Sequence, residues 1–313
     1  MVDIKEVAEN VIMIDDALYA IPQWGSVYLI NEEKKALVDT GPATSVHKVL
    51  DGIARAGVDA KEINYVIATH IHLDHAGGAG ELLKHLPQAQ VIVHYKGARH
   101  LINPERLMKS FASTMGERMV KKTGVMTPID EERIVPVSGG EIFKLGGRQS
   151  LSILHMPGHA PHQICILESR NNGVFSGDAI GISVAGGKVL MPATPPPTFD
   201  LDLSLDSLEK LMGLNADLIY FAHFDATDKV RESIDIAKGK LKTWNTLISQ
   251  TFNEEGFEAA FKKIRAQLYS ELEPARESES LYQYLADGIV AMNVTGFLKY
   301  YQDKKAQTEM VKQ

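Results

Sequence analysis

The chain of 313 residues has a single cysteine, Cys165. An internal disulfide is therefore excluded, which fits a reducing compartment. No apolar run approaches the roughly 20 residues needed to cross a bilayer as a helix. The opening Met1–Val2–Asp3–Ile4–Lys5–Glu6 is charged and lacks the apolar stretch of a signal peptide. A surplus of positive charge is missing too: 33 Lys and Arg stand against 40 Asp and Glu, for a net charge of −7. With no basic run, the overall electrostatics point away from nucleic acid. The expectation is a cytoplasmic protein acting on a small molecule, with neither nucleic acid nor a membrane as partner. The hydrophobic fraction of 44% supports a sizeable core. The length suits one large domain with an appendage, or two small domains.

What the chain does have is Thr69–His70–Ile71–His72–Leu73–Asp74–His75–Ala76–Gly77–Gly78. It follows an apolar run at 63–68 with the composition of a buried strand, and it precedes a segment that reads as the start of a helix. Ligands carried at the end of a strand are held in place before a metal arrives. His70 and His72 are two apart, so on an extended backbone they point to the same side and both reach one ion. Asp74 and His75 fall where the chain turns into the helix and face a second ion. Imidazole and carboxylate suit Zn²⁺, and also Fe and Mn. The competing reading is a polar turn with scattered histidines.

His-x-His-x-Asp-His after a strand resembles the signature of the metallo-β-lactamase-fold metallohydrolases, in particular their glyoxalase-II-like and lactonase-like members. The resemblance implies an α/β fold, a four-layer αββα sandwich, and further ligands in a fixed order along the chain. Asp39–Thr40–Gly41 matches the family's Asp-x-Gly, whose Asp orients a metal-binding histidine from behind; a turn-capping Asp is the alternative. His155–Met156–Pro157–Gly158–His159–Ala160–Pro161–His162 resembles the Pro-Gly-His-x-Pro element. By that match His159 joins His70 and His72. Gly177–Asp178 matches the place of the metal-bridging carboxylate, and Ala222–His223–Phe224 that of the last ligand, which joins Asp74 and His75. His155 and His162 are read as supporting or structural groups. His85, His94 and His100 have no motif around them and are read as surface or packed residues.

The pattern predicts strands at 11–14, 26–30, 36–38, 90–93, 134–137, 141–145, 150–154, 163–167, 174–178 and 218–222, and an amphipathic helix over 45–56. A helical, Met-rich insertion runs over about 97–130 and serves either as a lid or as core. The three-proline loop at 194–199 is stiff and extended, so it edges the site or is a plain connector. Asp202 or Ser204 is expected to cap the helix that follows. Residues 1–227 form the catalytic domain. Residues 228–313 form a C-terminal helical extension, with a solvated tail from about 302.

The activity the resemblance implies is hydrolysis by hydroxide held between two divalent ions, Zn before Fe or Mn, bridged by Asp178. The substrate is a small ester, thioester, lactone or phosphoester, with Asp74 passing a proton to the leaving group. Zinc β-lactamases of the main class carry Cys in the role of Asp178, and Cys165 lies in mid-strand, which argues against antibiotic hydrolysis. Quorum-quenching lactonases carry a Tyr soon after the bridging Asp, whereas Ala179–Ile180–Gly181–Ile182 stands here. Tyr269, Tyr282 and Tyr284 do not align with the thiol-carrier site of glyoxalase II. The alternative reading is a persulfide dioxygenase using one iron on the same scaffold. A flavodiiron protein is disfavoured because its motif has Glu at the place of His72.

Overall fold

The computed structural model describes residues 2–311. Its first sheet has seven strands in sequence order: β1 (Ile4–Ala8), β2 (Val11–Asp15), β3 (Ser26–Ile30), β4 (Lys35–Val38), β5 (Ile63–Ile67), β6 (Gln90–His94) and β7 (Ile134–Val137). β1 to β4 form an antiparallel meander. β4 to β7 run parallel, so each link must cross over. The crossovers supply the helices: α1 (Val46–Arg55), the short turns α2 (Leu73–Ala76) and α3 (Ala79–Leu82), then α4 (Tyr95–Ile102), α5 (Glu105–Met115) and α6 (Glu117–Thr123).

The second sheet contains β8 (Ile142–Gly146), β9 (Gln149–His155), β10 (Ile164–Glu168), β11 (Gly173–Gly177), β14 (Leu218–Phe221) and β15 (Ala226–Thr227). Its spatial order is β15-β14-β11-β10-β9-β8. Side chains alternate across a strand, and the first sheet uses that period to serve two cores. Val11, Met13, Tyr28, Ile67 and Ile92 join Leu151, Ile153, Ile166 and Phe175 between the sheets. Ile14, Val27, Leu29, Val66, Val91 and Val93 join Val49, Ile53 and Leu82 under the helices. Between the sheets Phe175 lies 4.4 Å from Tyr220 and 5.3 Å from Tyr28, ring to ring. Such aromatic pairs contribute about 0.5–1.5 kcal/mol beyond their burial.

These elements make up a first compact unit, containing residues up to 155, 162–177 and 216–228. The second unit contains 156–161, 178–215 and the chain from 229 onward. It has a hairpin of β12 (Ile182–Val184) and β13 (Val189–Met191), α7 (Leu201–Gly213), and a helical array of α8 (Val230–Glu255), α9 (Phe257–Leu268), α10 (Glu279–Gln283) and α11 (Val290–Val311).

Several sequence expectations change. The helix at 201 is capped by Asp200, whose carboxylate accepts from the Leu203 amide at 3.0 Å; neither Asp202 nor Ser204 is the cap. Asp200 is the residue still in extended conformation, as a cap must be. The proline loop is partly core: Thr194, Pro195 and Phe199 are buried. Asn293 of α11 makes this possible by serving the loop's polar backbone. It accepts from the Thr194 amide at 2.7 Å and donates to the Pro192 carbonyl at 2.7 Å. Gly296 allows the contact, because a Cβ there would lie 1.7 Å from the Thr194 carbonyl oxygen. The tail from 302 is helical, since α11 continues to Val311 and Lys304 pairs with Asp202 at 2.7 Å. β1, the β12–β13 hairpin and β15 are short or lack clean alternation, and the sequence pattern missed them.

Candidate metal centre

The site grows from two strand ends of the first sheet. β5 stops at Ile67. The chain then bends at Thr69, His70 and His72, with His72 itself at φ −62° and ψ 151°, and turns into α2 at Leu73. His70 and His72 thus lie on the bent link between β5 and α2, not on a continuous extended strand as the sequence suggested, and Asp74 and His75 in the first helical turn. His70 Nε2 and His72 Nδ1 come within 2.9 Å, so the two rings aim one nitrogen each at a common point.

β4 stops at Val38, and Asp39 follows with φ +59°, a left-handed conformation that costs energy in any residue but glycine. That turn drives its carboxylate under the ligand loop. Oδ1 accepts from the Thr69 amide at 2.8 Å, and Oδ2 accepts from the Thr69 hydroxyl at 2.9 Å. Oδ2 is also 3.0 Å from His75 Nδ1. A carboxylate only accepts, so His75 carries its proton on Nδ1 and keeps Nε2 as a lone-pair donor. The Thr69 hydroxyl has spent its one hydrogen on Asp39 and lies 3.2 Å from His70 Nδ1. It must therefore accept from His70, which fixes the same tautomer there. Thr69, Asp39, His70 and His75 are all buried.

His223 stands just beyond β14. Its Nδ1 lies 3.3 Å from the Trp24 carbonyl, and the two rings are 4.6 Å apart. Donor atoms of Asp74, His75 and His223 lie within 4.8 Å of one another. In the second unit His159 donates from Nδ1 to the Ala193 carbonyl at 2.9 Å, and its Nε2 is 3.4 Å from Asp178 Oδ2. Gly158 lets this turn press on α7: with φ +138°, a Cβ would lie 2.3 Å from Ser204 Oγ.

Within the first unit the structure therefore brings together His70 with His72, and Asp74 with His75 and His223; Asp39 seats His75 directly and His70 through Thr69, and the Trp24 carbonyl seats His223. Within the second it brings together His159 and Asp178. All donors are imidazole nitrogens and carboxylate oxygens, a set that fits divalent metal ions. Cys165 is no part of it. Its thiol donates to the Ser176 carbonyl at 3.3 Å, and burial pushes its pKa up. Of the other histidines, His47 and His85 are exposed. The ring of His162 stacks 6.2 Å from that of His70. His94 and His155 stack at 4.3 Å, and burial lowers the pKa of His94 to about 4, so it is neutral.

Sequence reasoning missed Thr69, the carbonyls of Trp24 and Ala193, and Asp16. Asp16 is fully buried beyond β2 and accepts from the Leu18 amide at 3.0 Å. Its carboxyl is pushed up to about 7, first by burial and then by Asp15, with His223 acting in the opposite direction. Gly41, at φ +65°, leaves it room: a Cβ there would lie 2.1 Å from Asp16 Oδ2. An Asp15–Asp16 pair directly after an apolar strand was the available signal.

Residues 24–223 match the metallo-beta-lactamase superfamily. The chain belongs to that superfamily. It has the metallo-β-lactamase fold with a C-terminal helical extension. It is 29% identical over 208 residues to a metallo-beta-lactamase fold-containing protein of Sulfurisphaera tokodaii, covering 64% of this chain and 73% of that protein. A crystal structure of an archaeal superfamily protein from Sulfolobus tokodaii superposes with a TM-score of 0.58 at 26% identity, covering 82% of this chain and 94% of that one. An acyl-coenzyme A thioesterase of Gallus gallus is 25% identical over 192 residues, which is 56% of this chain and 65% of the relative. An N-acyl homoserine lactonase of a Bacillus species is 23% identical over 235 residues, which is 66% of this chain and 82% of the lactonase.

Proposed function

We propose that this superfamily member is a dinuclear metal-dependent hydrolase of ester-type bonds, with thioesters and lactones as the first substrates to test. His70, His72 and His159 would hold one ion, Asp74, His75 and His223 the other, and Asp178 would bridge them. The observation that carries the reading is the fixed tautomers. His70, His75, His159 and His223 each face an acceptor oxygen with Nδ1, which leaves Nε2 as a donor on each. A polar turn with incidental histidines would not commit four rings alike. Thioesterase and lactonase relatives support the ester class.

Divalent ions in such a site supply Lewis acidity toward a substrate carbonyl or phosphoryl oxygen and acidify water; zinc is the first candidate, iron or manganese the next. The protein's part is preorganisation. Asp39 and Thr69 hold two rings in register before any ion arrives, and α2 fixes Asp74 beside His75. The Asp74 side chain is 24% exposed while that of His75 is 2% exposed, so Asp74 is the carboxylate that can hand a proton to a departing group. No serine or cysteine nucleophile is needed. We place the protein in the cytoplasm on the strength of its one buried thiol. Among the described residues no helix is long and apolar enough to cross a membrane.

The test is Asp178→Ala, assayed on a panel of thioesters, lactones and phosphodiesters together with metal content. The reading expects turnover to collapse and metal occupancy to fall. Undiminished hydrolysis in the variant contradicts it. Oxygen uptake with glutathione persulfide on one equivalent of iron, without hydrolysis, would favour the dioxygenase reading.

A further inference from the structure

The negative total charge hides a basic segment. Residues 95–123 carry seven Lys and Arg against Glu105 and Glu117, a net of +5 in a chain whose total is −7. Three helices build it, and each sets its cations at helical spacing: Lys96 and Arg99 in α4, Arg106 and Lys109 in α5, Arg118, Lys121 and Lys122 in α6. Residues three or four apart share a side of a helix. Among the described residues, none of these cations has a carboxylate within 4.0 Å, although Lys84, Arg170, Lys238, Lys240 and Lys263 all do. Six of the seven side chains are exposed, and Lys122 sits over the ring of Tyr19.

The apolar side of the segment is only partly covered: Met108 and Phe111 pack against the core under the helices without being fully buried. No residue of α5 is fully buried. Met108, Phe111, Met115 and Met119 are only half-buried. Methionine makes an adaptable apolar surface.

The segment is fastened to the ligand-bearing loops. Thr44, close after the Asp39–Gly41 turn, donates from Oγ1 to the Lys122 carbonyl at 2.7 Å. Gly124 packs on the same loop, where a Cβ would lie 3.2 Å from Ala43 Cβ. At the other end α4 abuts Ile71, between His70 and His72, closely enough that a Cβ on Gly97 would lie 2.6 Å from Ile71 Cγ2. The segment that carries these cations and half-buried methionines is therefore held against the same loops that carry candidate ligands.

We propose that residues 95–123 form the recognition surface for an anionic amphiphilic substrate: an acyl thioester or ester whose leaving group carries phosphate. The helix cations take the phosphate, and the methionine-lined side takes the acyl chain. The proposal rests on the hydrolase reading above and narrows its substrate class. In the reaction a bond forms between water oxygen and the acyl carbon, the carbon–sulfur bond breaks, and a proton goes to the leaving thiolate. A net negative protein repels an anionic substrate at long range, and a local basic field beside the site reverses that.

The test compares the metal-loaded full chain on two substrates with one acyl chain: lauroyl-coenzyme A, which bears phosphates, and neutral lauroyl-N-acetylcysteamine. The wild type is expected to prefer the phosphate-bearing substrate by about ten-fold or more in kcat/KM at low salt, with the preference shrinking as salt screens it. In the charge reversal Lys109→Glu, Arg118→Glu, Lys121→Glu the preference disappears. The milder Lys109→Gln, Lys121→Gln variant reduces it and guards against misfolding of the triple variant. Calorimetry with the non-hydrolysable thioether analogue of lauroyl-coenzyme A reads binding apart from turnover. Binding that depends on these cations, with neither thioester hydrolysed, would sink the hydrolase reading and keep the surface. Equal kcat/KM on the two thioesters in the wild type overturns the proposal. Sedimentation with phosphatidylglycerol vesicles, lost in the triple variant and without discrimination between the thioesters, also overturns it and assigns the cations to a lipid surface.

Discussion

Asp39 Oδ2 lies 3.0 Å from His75 Nδ1, and the same oxygen accepts from the Thr69 hydroxyl that lies against His70. One carboxylate thereby sets the tautomer of a histidine in each of the two proposed ligand sets, one directly and one through a hydroxyl. Its left-handed backbone, φ +59°, is the local cost of that position.

Asp39→Asn should therefore weaken metal binding, by about 10- to 100-fold as for other residues that orient metal ligands. Chelator competition measures it. Asp39→Ala should do the same and destabilise the fold by a further 1–3 kcal/mol or so, because the buried Thr69 amide loses its acceptor. Unchanged metal affinity in both variants would mean that the carboxylate is only a turn cap.

Thr69→Val keeps the shape and removes the hydroxyl. His70 Nδ1 then loses its acceptor, while His75 keeps Asp39. The expected result is a mixture of His70 tautomers in metal-free protein, visible in ¹⁵N chemical shifts of the imidazole, with His75 unchanged. Thr69→Ser should restore the single tautomer. A His70 ring indifferent to both substitutions contradicts the relay.

Asp16 gives a pH dependence with a definite sign. Its folded carboxyl titrates at about 7, against 3.8 in the reference state. Between those values the unfolded chain has released the proton and the folded chain still holds it. Stability of the metal-free protein should thus be highest below the lower value, fall as pH rises through the window, and level off above about 7. The total is on the order of 4 kcal/mol. Asp16→Asn keeps an acceptor for the Leu18 amide and should flatten this slope, making the variant the more stable protein at pH 8. Denaturant midpoints across pH 4–8 test it. A slope equal to that of the wild type would place the titration elsewhere.

How far the sequence reached depends on the range of each signal. His70, His72, Asp74 and His75 lie within one short stretch, so residue type and local spacing alone singled them out. His159, Asp178 and His223 have no local spacing to the others and were legible only through the resemblance. Thr69 and Asp16 act through contacts made by folding, 30 residues apart in the pair Thr69–Asp39, and no local pattern shows such a hydrogen bond. Asp200 displaced Asp202 and Ser204 as the cap because a cap is set by where the backbone leaves the extended state. The 194–199 loop read as a stiff edge or connector because prolines resist core secondary structure; Asn293, far along the chain, makes its burial possible. The basic helices at 95–123 were in plain view, but a whole-chain charge of −7 averages them away.

The two-metal site is tested by metal quantification on wild type and Asp178→Ala, purified without added metal and assayed in parallel for thioester and lactone hydrolysis. Two equivalents of divalent metal in the active wild type, with both occupancy and turnover lost in the variant, is the predicted result. One equivalent of iron in a wild type that consumes oxygen and hydrolyses none of these substrates would contradict it.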